Sequence, residues 1–216
     1  MTGLVLDQLV VSRGGSPLVR LSATIAPGEV LTIMGPSGSG KSTALAAIIG
    51  TLGAGFDLSG RIVLDGRDVT HLPTHARRIG LLFQDDVLFA HLSVGGNLAF
   101  ALPATVRPRV ARRARIEAAL ASAGLEGFAE RDPASLSGGQ RSRVALLRTL
   151  LAEPRALLLD EPFSRLDADL RSQIRALVLD RARDRGLPVI LVTHDAEDAR
   201  AAGGRVLSPT GTLLAL

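Results

Sequence analysis

Four short apolar runs punctuate the chain, and each ends in a polar or glycine-rich stretch: "VLTIMG" at 30–35, "IGLLFQ" at 79–84, "ALLLDE" at 156–161 and "PVILVTH" at 188–194. A run that is apolar on both faces reads as a strand covered by helices on each side, the pattern of a parallel sheet. Ligands of such sheets bind beyond the carboxyl ends of the strands, so the four polar endings are expected to meet in one crevice. The segments "LVLDQLVV", "PLVRLSATIAPGE" and "GRIVLDG" (60–66) alternate instead and carry turn residues, which predicts a small antiparallel sheet. Helical periodicity fills the spaces between runs. Over 167–182 it sets Leu170, Ile174, Leu177 and Val178 on one stripe. Residues 86–134 hold an arginine-rich helical pattern and several glycines, and read as an inserted helical subdomain. The expected architecture is α/β: one domain over 1–216 with a mainly parallel core sheet, a small N-terminal antiparallel β subdomain and the helical insertion.

Composition narrows the function. At 216 residues the chain can bury a sizeable core. No apolar run reaches membrane-spanning length, and the N-terminus lacks the basic start and long apolar stretch of a secretory signal, so a cytoplasmic chain is expected. The absence of cysteine excludes disulfides and thiolate metal sites. Net charge is only +4, and the densest basic run, "RPRVARRAR" at 107–115, has no aromatic residue between its arginines for base stacking. That run reads as a solvated helix face, and no nucleic-acid partner is expected. His71, His75 and His91 have no metal-ligand spacing, and zinc is not expected.

The chemistry begins at "GPSGSGKST", 35–43, which fits the spacing G-x-x-x-x-G-K-[ST] between an apolar run and a helix-like segment. Gly35, Pro36, Ser37, Gly38, Ser39 and Gly40 form a loop whose backbone N–H groups suit a phosphate, and the following helix adds its dipole. Lys41, the single lysine among 25 basic residues, reaches the terminal phosphates as a compact point charge. Ser42 offers a hydroxyl to Mg²⁺, and Thr43 completes the stretch. At the end of "ALLLDE", Asp160 suits the metal through its water shell and Glu161 suits the polarisation of an attacking water.

"LSGGQ" at 136–140, continued by "RSRVALLRTLLAEPRALLLDEP", resembles the signature motif and acid pair of ATP-binding cassette (ABC) ATPases. Phosphate loop, Gln84, signature, acid pair, "SRLD" at 164–167 and His194 stand in the family's order, over nearly the whole chain. The resemblance implies the P-loop NTPase fold, with ATP and Mg²⁺ as ligands. It implies a homodimer, or a dimer with a similar chain, in which Ser137, Gly138, Gly139 and Gln140 of one subunit act on ATP held by the other. Ser137 alone also reads as a plain helix cap. By the same resemblance Gln84 touches metal and water and links them to the helical subdomain, His194 contacts the γ-phosphate, and Asp167 faces the opposite subunit.

"QDDVLFAHLSVGGNLAFALP", "LPATVR" and "DEPFSRLD" resemble short importer ATPases of the thiamine, iron and sulfate-like group. That implies a peripheral subunit on the cytoplasmic face of the cell membrane. Its expected partners are permease subunits, contacting residues 84–100, and a substrate-binding protein. Val87, Leu88, Phe89 and Leu92 either line the permease groove or pack the subdomain core. No C-terminal regulatory domain is expected. The alternative is a soluble ABC ATPase of DNA or ribosomes, but 216 residues leave no space for tandem cassettes or a long coiled coil. One departure stands out: the family places an aromatic residue near the end of the first strands to stack on adenine. Here the stretch is "VVSRGGSPL", the chain has neither Tyr nor Trp, and its first Phe is Phe56. Arg13, Pro17 and Leu18 are the expected cover for the base.

Overall fold

The computed structural model describes residues 2–85, 87–164, 166 and 168–216. Its N-terminal sheet has the order β2-β1-β4-β5, built from β1 (Leu4–Arg13), β2 (Ser16–Ile25), β4 (Phe56–Leu64) and β5 (Arg67–Asp68), all pairs antiparallel. Alternation does the sorting here: Leu4, Leu6, Leu9 and Val11 of β1 are fully buried. One irregularity of β1 is felt on both sides, between Leu6 and Leu9 against β2 and between Asp7 and Val10 against β4, and the β2 pairing shifts again between Val11 and Ser12. Gly60 faces the first of these bulges with φ 84°, and a Cβ there would stand 2.2 Å from the Gln8 carbonyl oxygen, so only glycine lets β4 run through.

The second sheet is parallel, in the order β6 (Ile79–Leu82), β7 (Ala156–Asp160), β8 (Val189–Thr193), β3 (Val30–Met34), β9 (Arg205–Leu207). β6, β7, β8 and β3 coincide with the four apolar runs, and every residue of β8 is buried. β9 is too short to show in the sequence pattern. Because β7 and β3 flank β8, the phosphate loop, the acid pair and His194 leave the sheet side by side at its carboxyl edge.

Helix α1 (Lys41–Ile49) lies between the two sheets, and one core cluster joins its Leu45 and Ile48 to Leu6, Ile25, Ile33 and Leu158. Arg77, on the short α2 (Thr74–Arg77), is 5% exposed and holds the far end of α1: its guanidinium donates to the carbonyls of Ala47 and Ile48, and to those of Thr70 and Leu72. Every branch of the fork is engaged, which makes the buried charge tolerable although burial lowers its pKa. On the opposite face of the parallel sheet pack α5 (Gly138–Leu151), α6 (Ala168–Asp184) and α7 (Ala196–Ala202), with Ile174 and Val178 fully buried and Leu170 and Leu177 partly so. A third cluster joins α3 (Val94–Ala101) and α4 (Arg109–Ala121) to Val144 and Leu147 of α5. α4 buries only Ile116 and Leu120; Arg109, Arg113 and Arg115 are exposed, with Arg115 pairing with Glu153 at 2.9 Å, while the half-buried Arg112 donates to the carbonyls of Ala99, Pro103 and Val106.

Candidate nucleotide site

The loop 35–40 joins β3 to α1, and Gly40, at φ 98°, is the N-cap of the helix. Its left-handed backbone turns the loop directly into α1, and a side chain there would press the Leu18 carbonyl at 3.1 Å. The N-terminus of α1, with its unpaired N–H groups, therefore opens into a cavity of about 510 Å³ whose walls include Ser37, Gly38, Gly40, Lys41, Ser42, Thr43, Gln84, Asp160 and Glu161. Gly35 and Pro36 stand behind it as acceptors. The Lys41 ammonium, 7% exposed, donates to their carbonyls at 2.8 and 3.0 Å and lies 3.8 Å from Glu161 Oε1. The Ser39 hydroxyl is buried under the loop without a partner among the described residues.

Glu161 follows β7 with φ 45°, a left-handed conformation that costs on the order of 1–3 kcal/mol in a non-glycine residue and is retained where a site requires it. The turn sends its carboxylate toward both Lys41 and His194, whose Nδ1 is 3.1 Å from Glu161 Oε2. The imidazole itself is 60% exposed and so accessible to a ligand. Burial, and then the neighbouring Glu161 charge, push the Asp160 carboxyl above the usual aspartate range, against the opposing pull of Lys41. Among the described residues no hydrogen bond engages the Asp160 carboxylate or the Ser42 hydroxyl. Gln84 donates its amide to Ser164 Oγ at 3.1 Å, leaving its carbonyl oxygen without a partner among the described residues. One half-buried carboxylate, one hydroxyl and one amide oxygen on a shared cavity form the all-oxygen donor set that suits Mg²⁺ retaining several waters. Among the described residues no group of three or more His, Cys, Asp or Glu is placed so that it could hold a metal ion.

The signature residues behave differently. Ser137 is the N-cap of α5: its Oγ accepts from the Gln140 N–H at 3.3 Å, and Gln140 Oε1 accepts from the Ser137 N–H at 3.0 Å. This capping box stiffens the helix start. Gly139 is buried, and Gly138 lines a second cavity of about 610 Å³ together with Leu88, Pro162 and Leu166. Gln84 lines both cavities and is the side chain that connects them. Asp167 lies outside the described residues.

Sequence reasoning passed over two residues. Phe56 enters the cavity beside Arg13 and Leu18, because β4 pairs Phe56 with Arg13, and the guanidinium stands 5.4 Å above the ring centre. The cavity wall that holds the expected Arg13 and Leu18 thus carries an aromatic ring as well. Asn97 is fully buried and pins residues 89–93, accepting from the Phe89 N–H and donating to the carbonyls of Phe89, Leu92 and Ser93. In that segment Leu88 packs into the core, Val87 is exposed, and Phe89 meets the exposed Phe100 edge-on at 4.9 Å.

The whole arrangement is that of a nucleotide-triphosphate site on a P-loop sheet. A model of the ABC transporter family matches residues 18–164, and the chain belongs to that family as its ATPase component. The chain is 51% identical over 184 residues to the uncharacterised ABC transporter ATP-binding protein YnjD of Escherichia coli, a match spanning 85% of this chain and 84% of that one. It is 44% identical to the thiamine import ATP-binding protein ThiQ of Cereibacter sphaeroides, over 94% and 87% of the two chains. It is 43% identical to the Fe(3+) ions import ATP-binding protein FbpC 1 of Rhizobium meliloti, covering 87% of this chain but 52% of that longer one. Among solved structures, cbiO1 of Clostridium perfringens, part of the transporter complex cbiONQ, matches with a TM-score of 0.82 and 30% identity, over 95% of this chain and 83% of that chain. Among the described residues no helix is long and apolar enough to cross a membrane.

Proposed function

We propose that the chain is the ATP-hydrolysing subunit of a multi-chain importer, bound to the cytoplasmic face of the cell membrane by permease subunits, with a substrate-binding protein in the complex. The observation that carries the reading is the meeting of Lys41, Ser42, Gln84, Asp160, Glu161 and His194 at one sheet edge, in a chain similar to named import subunits. In this reading the loop N–H groups and Lys41 hold the β- and γ-phosphates of ATP. Ser42, Asp160 and Gln84 hold Mg²⁺, which neutralises phosphate charge when bound. Glu161 accepts the proton of the attacking water and His194 holds the γ-phosphate.

The capped start of α5 completes the site of a second copy, so ATP joins the two subunits, with Asp167 at their junction. Val87, Phe89 and Phe100 offer the permease an apolar, aromatic surface held in shape by Asn97. Purification from detergent-solubilised membranes tests the importer reading: the chain is expected to bring down a multi-span membrane protein, and Phe100→Asp to lose it while keeping its fold. Recovery of ribosomes or DNA in place of a membrane protein would overturn the reading.

Arg13 and Phe56 form the base-binding wall. Stacking contributes about 1–3 kcal/mol per base in nucleic-acid sites, and a guanidinium over a ring reads no exocyclic group. Phe56→Ala is therefore expected to raise the KM for ATP roughly tenfold, and the unaltered chain to turn over GTP about as well as ATP. Steady-state kinetics with both nucleotides decide this. A strong ATP preference that survives both Phe56→Ala and Arg13→Ala would remove the pair from the site.

A further inference from the structure

Five charged side chains meet between α6 and the first turn of α7. Asp198, with a side chain 3% exposed, receives the fork of Arg171, Nε to Oδ1 at 3.0 Å and Nη2 to Oδ2 at 2.5 Å. Arg175 Nη1 donates to the same carboxylate at 2.9 Å, and its other arm reaches Glu197. The same Nη2 of Arg171 also lies 2.6 Å from Asp195 Oδ2. Asp195 caps α7 by accepting from the Glu197 N–H, while its own N–H donates to Thr193 Oγ1. Thr193, 2% exposed, turns that hydroxyl toward Asp198 Oδ2 at 3.5 Å. Burial works against the Asp195 carboxylate, yet the Glu197 N–H and the Arg171 guanidinium hold its pKa below the usual range.

His194 therefore sits between two residues tied into this cluster, while its own ring is 60% exposed and has Glu161 as its ion-pair partner. An exposed ring has little packing to aim it, so its direction is set by the backbone on each side. We propose that Arg171 is a positioning residue for His194, fixing Asp195 directly and Thr193 through Asp198, and so aiming the imidazole at Glu161 and the γ-phosphate. This rests on the reading of His194 as a phosphate contact. Stability alone is a poor account of the cluster, because a buried ion pair contributes little more than a well-packed apolar pair. What a forked arginine adds is geometry.

The test is kinetic. Arg171→Met keeps the aliphatic stem and leaves Arg175 to neutralise Asp198. It is expected to lower kcat about tenfold or more, since small misplacements of reacting groups have effects of that size, with the KM for ATP nearly unchanged. Arg175→Met, which leaves the Arg171 fork in place, is expected to lose far less kcat for a similar loss of melting temperature. In His194→Ala, adding Arg171→Met is expected to cost nothing further, because the residue it aims is gone. Independent multiplication of the two losses, or kcat falling in step with melting temperature in both arginine variants, would overturn the proposal. Should Arg171→Met fail to fold, Asp195→Asn weakens the Arg171 contact while its amide oxygen still caps α7. It is expected to lower kcat at an unchanged melting temperature, and wild-type kcat there would overturn the proposal. Unimpaired turnover by His194→Ala would instead bring down the phosphate-contact reading itself, and this proposal with it.

Discussion

Glu161→Gln is expected to keep ATP bound and to stop its hydrolysis, lowering the single-turnover rate by about 10²–10⁴-fold, the usual contribution of a positioned general base. The substitution preserves shape, so the strained turn after β7 and an acceptor for His194 Nδ1 both persist. What disappears is a negative charge 3.8 Å from Lys41 Nζ and next to Asp160. Losing it frees the ammonium for phosphate and removes one of the influences that raise the Asp160 pKa, so neither ligand contact is weakened. In the proposed dimer, ATP that cannot be cleaved would keep the two subunits joined, so the variant is expected to elute as a dimer with ATP and as a monomer without it. Equilibrium binding, single-turnover kinetics and size-exclusion read the three arms. Hydrolysis at the wild-type rate would remove Glu161 from the role of base.

How much of this site the sequence could disclose depended on whether its parts were local. The phosphate loop, the acid pair and four strands of the parallel sheet each sit within a short window whose periodicity and residue types need no long-range knowledge, and β3, β6, β7 and β8 follow the apolar runs closely. Phe56 was hidden by a pairing. Sequence alternation over "GRIVLDG" starts a strand at Gly60, where a glycine interrupts the pattern, whereas β4 begins at Phe56 and passes through Gly60 because the partner strand bulges at Gln8. Only with the β1–β4 register does Phe56 come opposite Arg13. The cluster around Asp198 was hidden in the same way: Arg171 and Arg175 stand far from Asp198 in sequence, and only the packing of α6 against α7 brings their guanidinium groups to its carboxylate. Ser137 shows a third case, since helix cap and phosphate ligand are compatible roles: its hydroxyl oxygen accepts from Gln140 while its proton stays available.

Lys41→Arg keeps the charge and is expected to impair the enzyme nonetheless. The ammonium occupies a space bounded by the carbonyls of Gly35 and Pro36 and by Glu161, on a residue 7% exposed at the first position of α1. Each of its three donors can rotate among these oxygens, so it can leave the loop carbonyls for phosphate oxygens with little rearrangement. A guanidinium is longer, planar and fixed in its fork, and must either displace the loop or carry buried N–H groups without partners. Hydrogen bonds to charged groups contribute about 1.5–3 kcal/mol, so mismatching even one is expected to reduce kcat/KM for ATP by roughly tenfold or more. The fold is expected to survive, because α1 is held by Leu45, Ile48 and the Arg77 cap rather than by Lys41. The two halves are measured separately, by melting temperature and by ATP turnover across a range of ATP concentrations. A stable Lys41→Arg variant with wild-type kcat/KM would show that the loop needs only a positive charge, and the single lysine in a chain otherwise written in arginine would then have no explanation in the phosphate site.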